Sequence, residues 1–238
     1  MMKYCYDGSF EGYLTVIFKA YRVIEDLEEI SVRDEKISMF NDQIFVSGEE
    51  DLAKRVTDSI IKTFGYRFYM DFYKLFLSCK SGKDLVGAKV LKKMYRDRNY
   101  ILSANADAAA FRNIGKNVGR EAHSYKGLIR FDLYNGVLIA KIEPKNNILT
   151  ILSPHFERRL TNEKFIICDV NRNIAIVYSQ GQSNLVEFKN ADFKFEDEYK
   201  ELWKTFYNSI SIGERENESL RISNMPKRYW KMLHEFGN

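Results

Sequence analysis

An Asn-Gly pair between two apolar runs is the feature that most constrains the fold of this chain. Asn135-Gly136 separates residues 128–133 from residues 137–142. This pair favours a two-residue turn of the primed type, whose twist matches that of the flanking strands. The sequence therefore predicts an antiparallel hairpin, with Arg120, Glu121 and His123 just before its first strand.

A helix is predicted soon after this hairpin, because apolar residues recur there at steps of three and four. They are Ile148, Leu149, Leu152, Phe156 and Leu160. This helix carries His155, Glu157, Arg158 and Arg159, so two of the three histidines flank the hairpin. A functional site is one explanation of this arrangement. The other is that both histidines are ordinary, partly buried residues and that the arginines form a solvated rim.

The rest of the chain reads as helices first and strands later. Helical spacing predicts helices over residues 10–24, capped by Ser9, over 49–64, ended by Gly65, and over 68–79, 85–95 and 105–118. A second hairpin is predicted from residues 165–169 and 174–178, followed by a long helix from about Asp192 and a short one starting at Pro226. A short strand is expected at residues 2–6, and a strand or loop within 30–46.

These elements favour an α+β fold, with a helical N-terminal half packed on a C-terminal half of two β-hairpins and helices. We expect one unit over residues 1–238, with two packed lobes at 1–118 and 119–238 as an alternative. A doubly wound sheet is not expected, because the strands cluster as hairpins.

Cysteine usage and hydropathy indicate a cytoplasmic protein. Cys5, Cys79 and Cys168 lie far apart without CxxC spacing, which favours neither a disulfide framework nor a zinc site. No run approaches the roughly 18 apolar residues of a membrane span, and the N-terminus lacks a signal-peptide core. We therefore expect a soluble, cytoplasmic protein.

Positive charge is concentrated in the middle of the sequence. Residues 80–130 hold twelve Lys or Arg against four acids, a net +8, whereas the whole chain carries only +4. Lys89, Lys92, Lys93 and Arg96 fall on the predicted outer face of the helix at 85–95. Such a face is typical of a surface that meets phosphate, although a solvated lysine-rich helix has the same pattern.

Motifs for enzymatic chemistry are weak. The sequence has no Gly-x-Ser-x-Gly elbow, no Cys-His pair and no phosphate-loop spacing. A divalent ion is conceivable among Glu121, His123, Glu143, His155 and Glu157, but their spacing is not diagnostic, and we expect neither a metal nor a cofactor.

Five separated motifs resemble a known family. They are Tyr4-x-Tyr6-Asp7-Gly8-Ser9-Phe10-Glu11-Gly12, Val118-Gly119-Arg120-Glu121-Ala122-His123, Gly127-Leu128-Ile129-Arg130-Phe131, Pro154-His155-Phe156-x-x-Arg159 and Met225-Pro226-Lys227-Arg228-Tyr229-Trp230. Together they resemble, almost end to end, a bacterial family of DNA repair and DNA metabolism proteins that contains the DUF4130 domain. The resemblance implies a role in DNA repair or modification beside a radical-SAM protein. Related domains are fused to uracil-DNA glycosylases, and the lack of a glycosylase domain here suggests work alongside a separate enzyme.

The leading hypothesis is a DNA-binding accessory protein that presents a nucleic-acid substrate to a radical-SAM protein or glycosylase. The nucleic-acid-binding candidates are Lys89, Lys92, Lys93, Arg96, Arg120, Arg130, Arg159, Arg172, Lys227, Arg228 and Trp230, and the catalytic candidates are His123, His155 and Glu121. One alternative is an enzyme acting on DNA or nucleotides through a His/Glu site, with a bound metal as one option. Another is a protein-interaction scaffold without DNA contact, anchored by Tyr229 and Trp230.

Overall fold

The computed structural model describes residues 2–33, 43–134, 136–188 and 229–230. The chain divides into two compact units, Met1–Arg120 and Glu121–Asn238. The first unit contains β1 (Met2–Tyr6), α1 (Phe10–Ala20), β2 (Leu27–Val32), β3 (Gln43–Val46), α2 (Glu50–Phe76) and α3 (Lys83–Arg96). Helix α4 (Ala106–Leu128) crosses the boundary, and β4 (Asp132–Tyr134), β5 (Val137–Ile142), α5 (Leu149–Arg159), β6 (Phe165–Asp169), β7 (Ile174–Ser179) and β8 (Gln182–Glu187) follow. The predicted α+β class, with a helical first half, is confirmed.

Helix α1 begins where the sequence predicts it. The Ser9 hydroxyl accepts a hydrogen bond from the Gly12 N–H at 2.8 Å, which satisfies one of the free donors of the first turn. Tyr13 is fully buried on the inner face of α1 and stacks on Phe72 of α2, with ring centroids 5.6 Å apart. The aromatic stripe of α1 is therefore core.

The first unit also holds a parallel three-stranded sheet of order β2-β1-β3. The strand at residues 2–6 was predicted, but the sheet was not, because β2 and β3 lie in a polar stretch. Only Leu27 and Ile30 are buried in β2, so the alternation that signals a half-buried strand is weak there.

Helix α2 contains a sharp break at Gly65, where the backbone has φ 85° and ψ 163°. This region of backbone space is open essentially only to glycine. The two helices predicted at 49–64 and 68–79 are therefore the two arms of one kinked element, and Gly65 is the residue that separates them.

Helix α4 ends ten residues later than predicted, which corrects the boundaries around the first hairpin. Val118, Ala122, Tyr125 and Ile129 are all buried, so the apolar stripe continues past Gly119 at helical spacing. Leu128 consequently ends the helix, and the first hairpin strand is only Asp132–Tyr134, not residues 128–133.

The second unit is built on a mixed five-stranded sheet of order β4-β5-β6-β7-β8. Both predicted hairpins are confirmed, since β4 pairs antiparallel with β5 and β6 antiparallel with β7. The predicted helix at 148–160 is α5, and it connects the parallel strands β5 and β6. Strand β8 was not predicted, because all of its residues are exposed and it shows no buried face.

Two predicted helices, from about Asp192 and from Pro226, lie almost wholly outside the described residues. Among the helices that are described, none has the length and apolar content needed to cross a bilayer.

Candidate functional site

His155 is the candidate residue whose surroundings are most unusual. Its Nε2 atom is buried and has no hydrogen-bond partner among the described residues. Burial lowers the pKa of His155 below its ordinary 6.5, and the cations Lys126, Arg159 and Arg158 lower it further. The imidazole is therefore neutral at pH 7, and its buried Nε2 atom is a hydrogen-bonding position that the described residues leave unused.

Three cations lie close enough to His155 to lower its pKa, and we call Lys126, His155, Arg158 and Arg159 the cationic cluster. Lys126 comes from the last turn of α4, and both arginines from the exposed last turn of α5. Cations are favoured at a helix C-terminus because they interact with the partial negative charge of the helix dipole there. This interaction stabilises the last turns of α4 and α5. Glu157, which lies between His155 and Arg158 in the sequence, accepts a hydrogen bond from the Ser153 hydroxyl on the same helix.

This arrangement is suited to binding an anion. Arginine guanidinium groups match phosphate or carboxylate oxygens with paired donors, and a lysine adds a point charge. Burial is the main cause of the lowered pKa of His155, and a bound anion would counter the further lowering by the three cations, so the imidazole would gain a proton more easily. The cluster therefore has the chemistry of a phosphate-binding surface with a titratable centre.

Glu121, a catalytic candidate, has a structural role. Its carboxylate is buried and accepts hydrogen bonds from the Lys145 N–H at 3.0 Å, the Asn146 N–H at 2.9 Å and the Asn146 side-chain amide at 2.6 Å. These bonds fasten α4 to the loop before α5. Asn146 could not be predicted as a partner of Glu121, because the two residues lie 25 positions apart.

The structure does not gather the candidate metal ligands. His123 is exposed on α4, whereas its neighbour Glu121 is buried against the 145–146 loop. Within the described residues, no three His, Cys, Asp or Glu side chains are grouped closely enough to hold a metal ion.

The basic face predicted on α3 is only partly present. Lys92 is 5% exposed, so its predicted position on the outer face is wrong. Lys92 lies four residues after Ala88 and three before Tyr95, and this spacing places it beside the buried stripe. Lys93 is half-buried and pairs with Asp107 at 3.5 Å, while Lys89 is half-buried and Arg96 is exposed.

The arginines of the second unit differ in their accessibility. Arg120 and Arg159 are exposed, whereas Arg130 is half-buried and donates to the Gly127 carbonyl at 3.1 Å. Arg172 donates to the buried Asp169 at 2.7 Å and to the Pro144 carbonyl at 3.1 Å, which ties the β6–β7 turn to the chain after β5. Arg172 is therefore a structural residue as well as a predicted phosphate ligand.

Of the C-terminal candidates, only Tyr229 and Trp230 are described, and Lys227 and Arg228 lie outside the described residues. Tyr229 is 4% exposed and packs edge-on against Tyr125 of α4, with centroids 5.0 Å apart. It is therefore part of a core, not an exposed anchor for a partner. Trp230 is half-buried.

Two members of the cationic cluster, Lys126 and Arg158, were not among the predicted ligands. The signal for Lys126 was present, since His123, Lys126 and Arg130 follow each other at steps of three and four. This spacing indicates a shared helix face only when α4 is known to continue beyond Val118.

Comparison with protein families decides the membership of the chain. The model of the family described as a domain of unknown function, DUF4130, matches residues 82–235. The chain belongs to the DUF4130 family. This match includes α3, α4, the two hairpins and the whole cationic cluster. No curated protein matches the chain.

Proposed function

We propose that this DUF4130 protein is a DNA-binding accessory protein. In this proposal the cationic cluster holds a backbone phosphate, and the protein presents the strand to a partner enzyme. The DNA repair setting and the radical-SAM partner are parts of the proposal that come from the five sequence motifs.

The observation that carries the proposal is the half-buried His155 with an unpartnered Nε2 among Lys126, Arg158 and Arg159. Three cations around one imidazole repel each other, and an anion between them relieves that repulsion. Phosphates are the anions that a nucleic acid offers, and their neutralisation supplies most of the affinity of non-specific DNA binding.

The α3 surface contributes less to this proposal than the sequence indicates. With Lys92 buried and Lys93 paired with an acid, Lys89 and Arg96 are the cations of that face that remain for phosphate contacts. The residues to substitute in a test of the proposal are therefore those of the cationic cluster.

The proposal is tested by removing the charges of the cluster. Single-stranded and duplex DNA with a fluorescent label are titrated with the full chain over a salt series. The triple variant Lys126→Ala, Arg158→Ala, Arg159→Ala should bind at least about tenfold more weakly at low salt. Its log-log salt slope on duplex should be smaller by about 2 to 3, since each phosphate contact contributes ~0.9.

The matched control removes three exposed cations from α2 by Lys54→Ala, Lys62→Ala and Arg67→Ala. This control lowers the net charge by the same amount as the cluster variant. If the cluster is the binding site, the DNA affinity of the control should stay within about threefold of that of the parent protein. Equal losses in both triple variants, or no DNA binding by the parent at low salt, would refute the proposal.

Titrations at pH 6 and pH 8 add an independent readout on His155. A bound phosphate raises the pKa of the imidazole from its lowered value, so binding takes up a proton and tightens as the pH falls. The variant His155→Gln should lose this share of the pH dependence, while His123→Gln, which changes an exposed histidine, should retain it.

A further inference from the structure

A cavity of about 590 Å³ lies within the first unit. Residues of α1, α2 and α3, together with Tyr21 and Arg22 just after α1, line it. This volume is within the roughly 300–1,000 Å³ of small-molecule sites. The cavity lies outside the cationic cluster, which belongs to other elements.

The walls of this cavity are apolar and aromatic. Ile17, Val56 and Leu91 form buried parts of the lining. Phe18 and Tyr21 are each 38% exposed, and their rings contribute to its accessible part. Partly exposed aromatic rings beside a cavity are suited to contact with a planar ring, because the contact removes apolar surface of both from water.

Polar groups within the cavity are few and well placed. The Tyr95 hydroxyl is hydrogen-bonded to the Ser59 hydroxyl at 2.6 Å, and both residues belong to the lining. Burial raises the pKa of Tyr95, so its hydroxyl stays protonated at neutral pH. This hydroxyl pair offers donors and acceptors to the edge of a heterocycle.

The charged groups of the lining are all cationic. Arg55 lies with its guanidinium 5.0 Å from the centre of the Phe18 ring, and Arg22 is exposed. Neither arginine forms an ion pair with another described residue, whereas Lys19 pairs with Glu49. Two guanidinium groups therefore remain uncompensated by the described carboxylates.

Lys92 adds a third positive charge beside this cavity. Its ammonium group donates to the Arg22 carbonyl at 3.0 Å and lies 5.7 Å from the centre of the Tyr21 ring. No carboxylate of the described residues forms an ion pair with it, although the residue is only 5% exposed. A buried charge without a counter-ion is unfavourable, so an anion in the cavity would stabilise this lysine.

We propose that this cavity binds a free nucleoside monophosphate. The base stacks against Phe18 and Tyr21, and the phosphate pairs with Arg22 and Arg55. The positive charge of Lys92 adds to the electrostatic attraction. A single nucleotide combines the planar ring and the anionic group that this lining requires, and it is small enough for a cavity of about 590 Å³. The inference is independent of the proposed function, because the residues that carry it lie in the first unit.

Calorimetric titration of the full chain tests the proposal with four probes: AMP, dTMP, the nucleoside adenosine and inorganic phosphate. The two nucleotides should bind at least tenfold more tightly than adenosine or inorganic phosphate. The double variant Arg22→Ala, Arg55→Ala should weaken nucleotide binding at least tenfold and leave adenosine binding unchanged. Tyr21→Leu should weaken nucleotides and adenosine alike, because it removes the stacking surface.

The control Lys54→Ala, Lys62→Ala removes two exposed charges from α2 outside the lining, and its nucleotide affinity should equal that of the parent. Thermal unfolding of each variant shows that loss of binding is not loss of fold. The proposal is overturned if neither nucleotide binds at millimolar concentration or if the control loses affinity as the double variant does. Binding of an oligonucleotide or a polyglutamate peptide at these arginines, without mononucleotide binding, would overturn it equally.

Discussion

At the scale of single residues, two cations of α3 lie in different environments. Lys92 and Arg96 are both cations on α3, yet Lys92 is buried and Arg96 is exposed. A long side chain beside an apolar stripe can bury its stem and find a backbone carbonyl, as Lys92 does with Arg22. Its spacing in the sequence is compatible with the flank of the buried face, but the carbonyl that accepts its hydrogen bond is 70 residues away and could not be predicted.

Glu121 illustrates the same limit for catalytic candidates. An acid two residues from a histidine is compatible with acid-base chemistry, and the sequence does not show which way its carboxylate points. In the structure the Glu121 carboxylate accepts hydrogen bonds from three N–H groups of residues 145–146. Its role is therefore to hold this loop in place.

We predict that Glu121→Ala lowers the free energy of unfolding by about 2–3 kcal/mol, since buried donors lose a charged acceptor. Urea unfolding followed by circular dichroism measures this change. Glu121→Gln keeps one carbonyl acceptor and should lose less, and the exposed Glu163→Gln serves as a neutral reference. A Glu121→Ala protein as stable as the parent would show that these bonds do not hold the loop.

At the scale of elements, periodic segments were predictable and polar ones were not. Both hairpins, α1 and α5 follow from turn chemistry or apolar spacing. The errors occur where that signal fails: at Gly119, which did not end α4, and in the exposed β8. Glycine interrupts a helix only when tertiary structure uses its freedom, as at Gly65 and not at Gly119.

This contrast between two glycines gives a prediction at the same scale. Gly65 has φ 85°, and a Cβ there would meet no atom within 4 Å, so the cost of Gly65→Ala is purely one of backbone conformation. We expect Gly65→Ala to reduce the free energy of unfolding by about 1–3 kcal/mol. The measurement is chemical denaturation of the full chain.

Gly119→Ala is the matched control. A Cβ at Gly119 also meets nothing within 4 Å, but the residue lies inside α4 with no positive φ. The alanine should therefore stabilise the protein by about 0.5–1 kcal/mol, because glycine is the poorer helix former. Opposite signs for the two substitutions support the kink at Gly65, and equal signs would contradict it.

At the scale of the whole molecule, the boundary between the two units falls inside α4. The first unit needs the N-terminal part of this helix, because Phe111 and Ile114 belong to its buried core. Phe111 stacks on Phe68 of α2, with ring centroids 5.6 Å apart and planes 9° from parallel. The sequence predicted one unit, with lobes divided after Val118 as the alternative, because helices precede that point and hairpins follow it; it could not show that residues of one helix belong to both units.

We therefore predict that a fragment of residues 1–128, which keeps α4 whole, unfolds in one cooperative thermal transition, while a fragment of residues 1–105 does not. Loss of one core phenylalanine costs about 3–5 kcal/mol, and small domains have only about 5–15 kcal/mol in total. Removing α4 takes away Phe111 and Ile114 together and leaves Phe68 and Phe72 without a cover on that side. Differential scanning calorimetry of both fragments measures the difference, and Phe111→Ala in the longer one separates lost packing from lost length. If the two fragments unfold with the same midpoint and enthalpy, α4 is not part of the core that holds the first unit together.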